Sequence, residues 1–146
     1  MKTTPVQILV IEDNPADAEM IRRCFGRCNL PTQLTIVEHG EDALDILQVN
    51  AKYSDSLCPD LILLDLSLPR MSGMQVLREV KSDDVLRKIP IVMLTASDKE
   101  EHVHEAHELK VSRYFIKPID QEGFDYIIHS IQELWLEFSE QENLAT

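Results

Sequence analysis

Glu12 and Asp13 follow the apolar run ILVI (8–11), Asp65 follows LILL (61–64), Thr95 follows IVML (91–94), and Lys117 follows YFI (114–116). Three carboxylates, a hydroxyl and an ammonium have a definite chemistry if the chain gathers them in one place. Two like charges about 4 Å apart repel by about 4 kcal/mol at an effective dielectric of about 20, so clustered acids need relief. Either one of them takes up a proton at a raised pKa, or a cation binds among them. Oxygen ligands with no His or Cys beside them favour a hard ion such as Mg²⁺, which keeps several waters and works alongside phosphate oxygens. Lys117 adds a second positive charge and Thr95 a donor, so the set suits a phosphoryl group carried on one acid. Taken singly the residues have plainer readings: Asp65 a turn residue ending a strand, Lys117 a surface lysine, Tyr114 an amphipathic edge residue.

What decides between these readings is the set of elements that must position the residues. Apolar runs this short and continuous suit strands covered on both faces, as in a parallel sheet. A fifth, weaker strand is QLTIVE (33–38). Helical patterns lie between the runs. Asn14 then Pro15 reads as an N-cap with proline in the first turn, opening a helix with Met20, Ile21, Cys24 and Phe25 on one stripe. GEDALDILQV (40–49) carries Ala43, Leu44 and Leu47, and GMQVLREVKS (73–82) carries Met74, Leu77 and either Val80 or Val76. SDKEEHVHEAHELK (97–110) opens on Ser97 or Asp98 as a cap. The last pattern, 122–140, has Phe124, Ile127, Ile128, Ile131, Leu134, Trp135 and Phe138 at helical spacing. NAKYSDSLCP (50–59) reads as a solvated loop.

Strands alternating with helices call for right-handed βαβ units and a doubly wound, five-stranded parallel sheet. Residues just past each strand's carboxyl end then share one edge, where ligand sites form. That edge receives Glu12, Asp13, Asp65, Thr95 and Lys117.

Composition narrows the classes. At 146 residues, 44% hydrophobic and 27% charged, the chain suits one soluble domain. A net charge of −12, from 26 acids against 14 Lys and Arg, argues against nucleic acid or an anionic membrane as partner. No apolar run is long enough to span a membrane, and the start lacks a signal peptide's pattern, so a cytoplasmic location is expected. Cys24, Cys28 and Cys58 fit no disulfide framework and read as buried or half-buried thiols rather than metal ligands. His104 and His107 lie three apart among acids, which suits a solvated helix face better than a metal pair.

IEDN (11–14), LLDLSLPRMSG (63–73), LTAS (94–97) and YFIKP (114–118) together resemble the receiver domain of two-component response regulators. The resemblance runs over about residues 6–138 and makes 1–146 a single receiver domain, with the flavodoxin-like strand order 2-1-3-4-5. It implies that Asp65 accepts a phosphoryl group from a sensor histidine kinase. Asp13 would be the main Mg²⁺ carboxylate, with Glu12 direct or through water, Asp65 itself and the Ser67 carbonyl completing the metal site. Lys117 would neutralise phosphoryl charge. Thr95 would bond the phosphoryl group, and Tyr114 would be the switch aromatic that follows it. Lys117-Pro118 matches a common cis bond of the family. Two positions depart or vary: Glu12 stands where Asp is frequent, and Ser67 and Ser97 are small residues at positions flanking the incoming water.

With Thr146 only about eight residues beyond the last helical pattern, no DNA-binding domain is expected, and output should run through protein contacts. The apolar stripe past Ile131 either folds back on its own core or, through Trp135 and Phe138, forms a homodimer interface. The long aromatic end, the 50–59 stretch and DLSLPRMSG are similar to stand-alone regulators of cyanobacterial phytochromes, which implies a bacteriophytochrome-type kinase as donor. Two other classes compete. A phosphorelay intermediate would pass the phosphate to a histidine phosphotransfer domain. A haloacid-dehalogenase-like phosphatase would have a second acid two residues after the nucleophile, where this chain has Ser67.

Overall fold

A computed structural model of the chain describes residues 5–54, 58–117 and 119–145, with backbone alone over 136–145. Five strands, β1 (Val6–Ile11), β2 (Thr32–Val37), β3 (Leu61–Leu64), β4 (Ile91–Thr95) and β5 (Arg113–Ile116), form one sheet in the order β2-β1-β3-β4-β5. Every pairing is parallel. The helices are α1 (Pro15–Gly26), α2 (Gly40–Tyr53), α3 (Gly73–Ser82), α4 (Glu100–Glu108) and α5 (Gln121–Ala145), with a 3₁₀ turn at Leu86–Lys88. This is the doubly wound architecture and strand order expected from the sequence.

Alternate residues of each inner strand feed opposite cores, because successive side chains of a strand point to opposite faces. Leu9, Ile11, Ile62, Leu64, Ile91 and Met93 join Leu44 and Leu47 of α2 and Val76, Leu77 and Val80 of α3. Ile8, Val10, Leu61, Leu63, Val92 and Leu94 join Ile21 and Phe25 of α1 and Phe124, Ile127 and Ile131 of α5. Burial on both faces is why these strands read as unbroken apolar runs.

The loops at the carboxyl edge are fixed by local chemistry. The Asn14 side chain accepts from the N–H groups of Ala16 and Asp17 at 2.9 and 3.1 Å and starts α1 one residue before Pro15. Ser72 and Gln75 form a reciprocal capping box at the start of α3. A Cβ on Gly73 would land on the backbone of Asp65 and Leu66, so only glycine lets α3 begin this close to β3.

Three boundaries differ from expectation. α2 runs on to Tyr53, because nothing in Asn50, Ala51 and Lys52 breaks the helix, and the Ser54 N–H closes it on the Asn50 carbonyl at 2.9 Å; the first four residues of the expected 50–59 loop are helix. α4 starts at Glu100 rather than at Ser97 or Asp98, with Lys99 in the cap position and no side-chain cap bond. The Ser97 hydroxyl is engaged instead by His102. α5 extends to Ala145, past the expected end at 140. Among the described residues no helix is long and apolar enough to cross a membrane.

Candidate functional site

Strand register sets the site before any side chain is considered. Ile11 pairs with Leu64, so Glu12 and Asp65 leave the sheet side by side. Thr95 pairs with Ile116, so Lys117 follows directly beside it. Backbone bonds carry the ladder past the strands: the Asp65 N–H donates to the Ile11 carbonyl at 3.1 Å, and the Lys117 N–H to the Thr95 carbonyl at 2.8 Å.

The side chains converge as the sequence requires. Glu12 is 2% exposed and Asp65 5%, and Lys117 reaches in with its side chain 12% exposed. Its ammonium donates to Glu12 Oε1 at 2.6 Å and to Asp65 Oδ2 at 3.1 Å. A third contact runs to Asp17 Oδ2 at 2.7 Å. The remaining Asp65 oxygen accepts from the Ser67 N–H at 3.0 Å, and Glu12 Oε2 from the Asn14 N–H at 3.2 Å. Asp13 is exposed at the mouth, and one oxygen from each of Glu12, Asp13 and Asp65 lies within 4.8 Å of the others. Among the described residues this is the one group of three or more His, Cys, Asp or Glu that close together. An all-oxygen donor set of two buried acids and one exposed acid suits a hard divalent cation.

The electrostatics follow from burial. Loss of water pushes the Glu12 carboxyl up to about 7, with the charge on Asp65 adding to the rise and the bonds from Lys117 and the Asn14 N–H opposing it. Burial disfavours the Lys117 charge as well. The bonds to Asp17 and Glu12 and the charge on Asp65 outweigh that, and hold the ammonium protonated beyond the ordinary lysine range.

Thr95 is wholly buried at the end of β4, and its Oγ1 accepts from the Ser97 N–H at 3.3 Å. The Tyr114 hydroxyl donates to the Ser97 carbonyl at 2.9 Å, and burial pushes its pKa up. Trp135 is half-buried against the α1–α5 core. The side chain of Phe138 lies outside the described residues, as does Pro118. Cys24 is buried and Cys28 and Cys58 half-buried, all three as free thiols. His104 and His107 are exposed on α4.

Asp17 is the site residue that sequence reasoning missed. It lies one helical turn beyond Asp13 in the first turn of α1, a spacing that turns it back towards the carboxyl edge. Only the packing of α1 against the sheet brings it within reach of Lys117.

A carboxylate cluster with a lysine and a threonine, at the carboxyl edge of a 2-1-3-4-5 parallel sheet, defines a class of signalling domain. The family model described as response regulator receiver domain matches residues 8–129, and the chain belongs to that family. It is 35% identical to response regulator Rcp1 of Synechocystis sp. over 133 residues, 91% of this chain and 90% of that relative. It is 37% identical to the probable methanogenesis regulatory protein FilR2 of Methanothrix harundinacea over 132 residues, 90% of this chain and 84% of that relative. Among solved structures, the phosphorylated cyanobacterial phytochrome response regulator RcpA superposes with a TM-score of 0.80 at 34% identity, covering 91% of this chain and 95% of the other. The Mn²⁺-bound form of Rcp1 superposes with a TM-score of 0.79 at 35% identity, covering 91% and 96%.

Proposed function

We propose that this chain is a stand-alone response regulator that accepts a phosphoryl group on Asp65 from a sensor histidine kinase, in a reaction that needs Mg²⁺. The observation that carries this is the 3.1 Å contact between the Lys117 ammonium and a buried Asp65 carboxylate that shares its pocket with Glu12 and Asp13. An Asp65 oxygen attacks the phosphorus of the donor's phosphohistidine, an O–P bond forms, the P–N bond breaks, and the electron pair leaves on the imidazole. Lys117 neutralises charge on the phosphoryl oxygens as it arrives. The Thr95 hydroxyl, which accepts from the Ser97 N–H and keeps its own proton to give, turns that proton to a phosphoryl oxygen, and Tyr114 follows the loop. Glu12, Asp13, Asp65 and the Ser67 carbonyl would hold Mg²⁺, which supplies charge neutralisation to the acids and the incoming phosphoryl group.

Likeness to Rcp1 and RcpA over nine-tenths of the chain supports a bacteriophytochrome-type kinase as the donor. The family supports a signalling protein of the cytoplasm rather than a steady catalyst, and the net charge of −12 disfavours nucleic acid and membrane partners. Output then runs through protein contacts, including a homodimer in which the far end of α5, with Trp135 and Phe138, takes part.

Incubation with a small phosphodonor and Mg²⁺ tests the core of this reading. It is expected to place one phosphoryl group per chain, and chelation of the metal or Asp65→Asn is expected to abolish it. Repeated turnover of a phosphate ester would instead point to the haloacid-dehalogenase-like chemistry, and rapid transfer onward to a histidine phosphotransfer domain to a relay.

A further inference from the structure

Ser97 has every polar group engaged. Its N–H donates to Thr95 Oγ1 at 3.3 Å and its carbonyl accepts from the Tyr114 hydroxyl at 2.9 Å. Its Oγ lies 2.6 Å from His102 Nδ1 and accepts from the Lys99 N–H at 3.4 Å. The Ser97 hydroxyl and His102 Nδ1 therefore share a short hydrogen bond, the ring tautomer setting which of the two donates. His102 sits in the first turn of α4, and that helix is clamped to α3 by a two-pronged bond from Arg78 to Glu105 at 2.6 and 2.8 Å. A continuous chain therefore runs from α3 through α4 and His102 to Ser97, and from Ser97 to both Thr95 and Tyr114.

We propose that His102 is a positioning residue for phosphoryl transfer: it anchors the Ser97 hub to α4 and so fixes where the Thr95 hydroxyl and the Tyr114 ring rest. The proposal rests on the reading of Asp65 as acceptor and Thr95 as its hydroxyl partner. His102 touches no reacting atom. It acts by favouring the loop conformation in which Tyr114 is docked on the Ser97 carbonyl and the Ser97 N–H holds the Thr95 hydroxyl.

Two readouts test it. In unphosphorylated protein, the NMR signals of the labelled Tyr114 ring report docking. His102→Phe, which keeps a ring and removes the hydrogen-bonding nitrogen, is expected to shift them; His102→Asn, whose side-chain amide takes the place of Nδ1 and can accept or donate, is expected to restore them. In protein phosphorylated with a small phosphodonor and Mg²⁺, His102→Phe is expected to shorten the phosphate lifetime by about threefold or more, the population change that loss of one hydrogen bond brings. His102→Asn should stay within about twofold of the native lifetime, and in a Ser97→Ala background His102→Phe should change nothing further. Unaltered Tyr114 signals and lifetime in His102→Phe overturn the proposal. So does an undiminished effect of His102→Phe when Ser97 is already alanine, or a loss of thermal stability with neither readout moved. If the native protein takes up no phosphate, the reading of Asp65 fails, while the Tyr114 signals still decide for or against His102.

Discussion

Glu12 and Lys117 meet in one largely buried pocket, and the titration of Glu12 fixes how the metal-free site behaves. The folded Glu12 carboxyl sits at about 7 against an ordinary 4.5, so the native state holds a proton that the unfolded chain has already lost. Its contribution to stability is therefore present on the acid side and fades as pH rises through about 7. Denaturant unfolding in chelator should show stability falling from about pH 5 to about pH 8, with a shallower fall in Glu12→Gln; equal slopes in both proteins would refute the assignment to Glu12. Lys117→Ala removes the ammonium that bridges Glu12, Asp17 and Asp65. Phosphorylation should then slow by about tenfold or more, while thermal unfolding in Mg²⁺ shifts far less, because the cores on both sheet faces are untouched. At this scale the acids, Thr95 and Lys117 were legible because each directly follows an apolar run. Asp17 was not, since a polar residue on a helix declares its neighbours only when the helix has a place in the fold. The Ser97–His102 bond was hidden for a different reason: a helix expected to open at Ser97 or Asp98 assigns that hydroxyl to capping.

Elements bring these residues together, and the tightest junction is where β3 turns into α3. Gly73 lies against the Asp65 and Leu66 backbone, and its own N–H bonds the Leu66 carbonyl at 2.9 Å. Gly73→Ala should cost about 2 kcal/mol or more in denaturant unfolding, and should slow phosphorylation by displacing Asp65 from Lys117. Native-like kinetics in that variant would show that the junction does not hold Asp65 in place. The sequence made the strands plain, since burial on both faces leaves uninterrupted runs, and it made α1 plain through Asn14 and Pro15. Helix ends facing solvent were harder. The last turn of α2 carries Asn50 and Lys52, which look like loop, yet neither stops a helix already under way. α4 presents mostly charged residues, and only Ala106 of its length is buried, so its boundaries left almost no apolar signature.

For the whole molecule, sheet order and charge decide what it can meet. The five-strand order puts the site at one edge and leaves the long α5 on the face shared with α1. The sequence signalled that face through its stripe, and Trp135 packs on the core there. The dimer proposed for the far end of α5 predicts a concentration-dependent increase in sedimentation that Trp135→Ala together with Phe138→Ala removes. A monomer on the order of tens of micromolar, with or without phosphate, would refute it.

Asp65 is the proposed carrier of the phosphoryl group, and chemical trapping reads that residue directly. Reduction of the phosphorylated protein with borohydride converts an acyl phosphate to an alcohol, and fragment mass spectrometry then locates the altered residue. A homoserine in place of Asp65, formed only when both phosphodonor and Mg²⁺ were present, is the expected result. Reduction at Glu12 or Asp13, or an unaltered Asp65 in protein that has taken up phosphate, would contradict it.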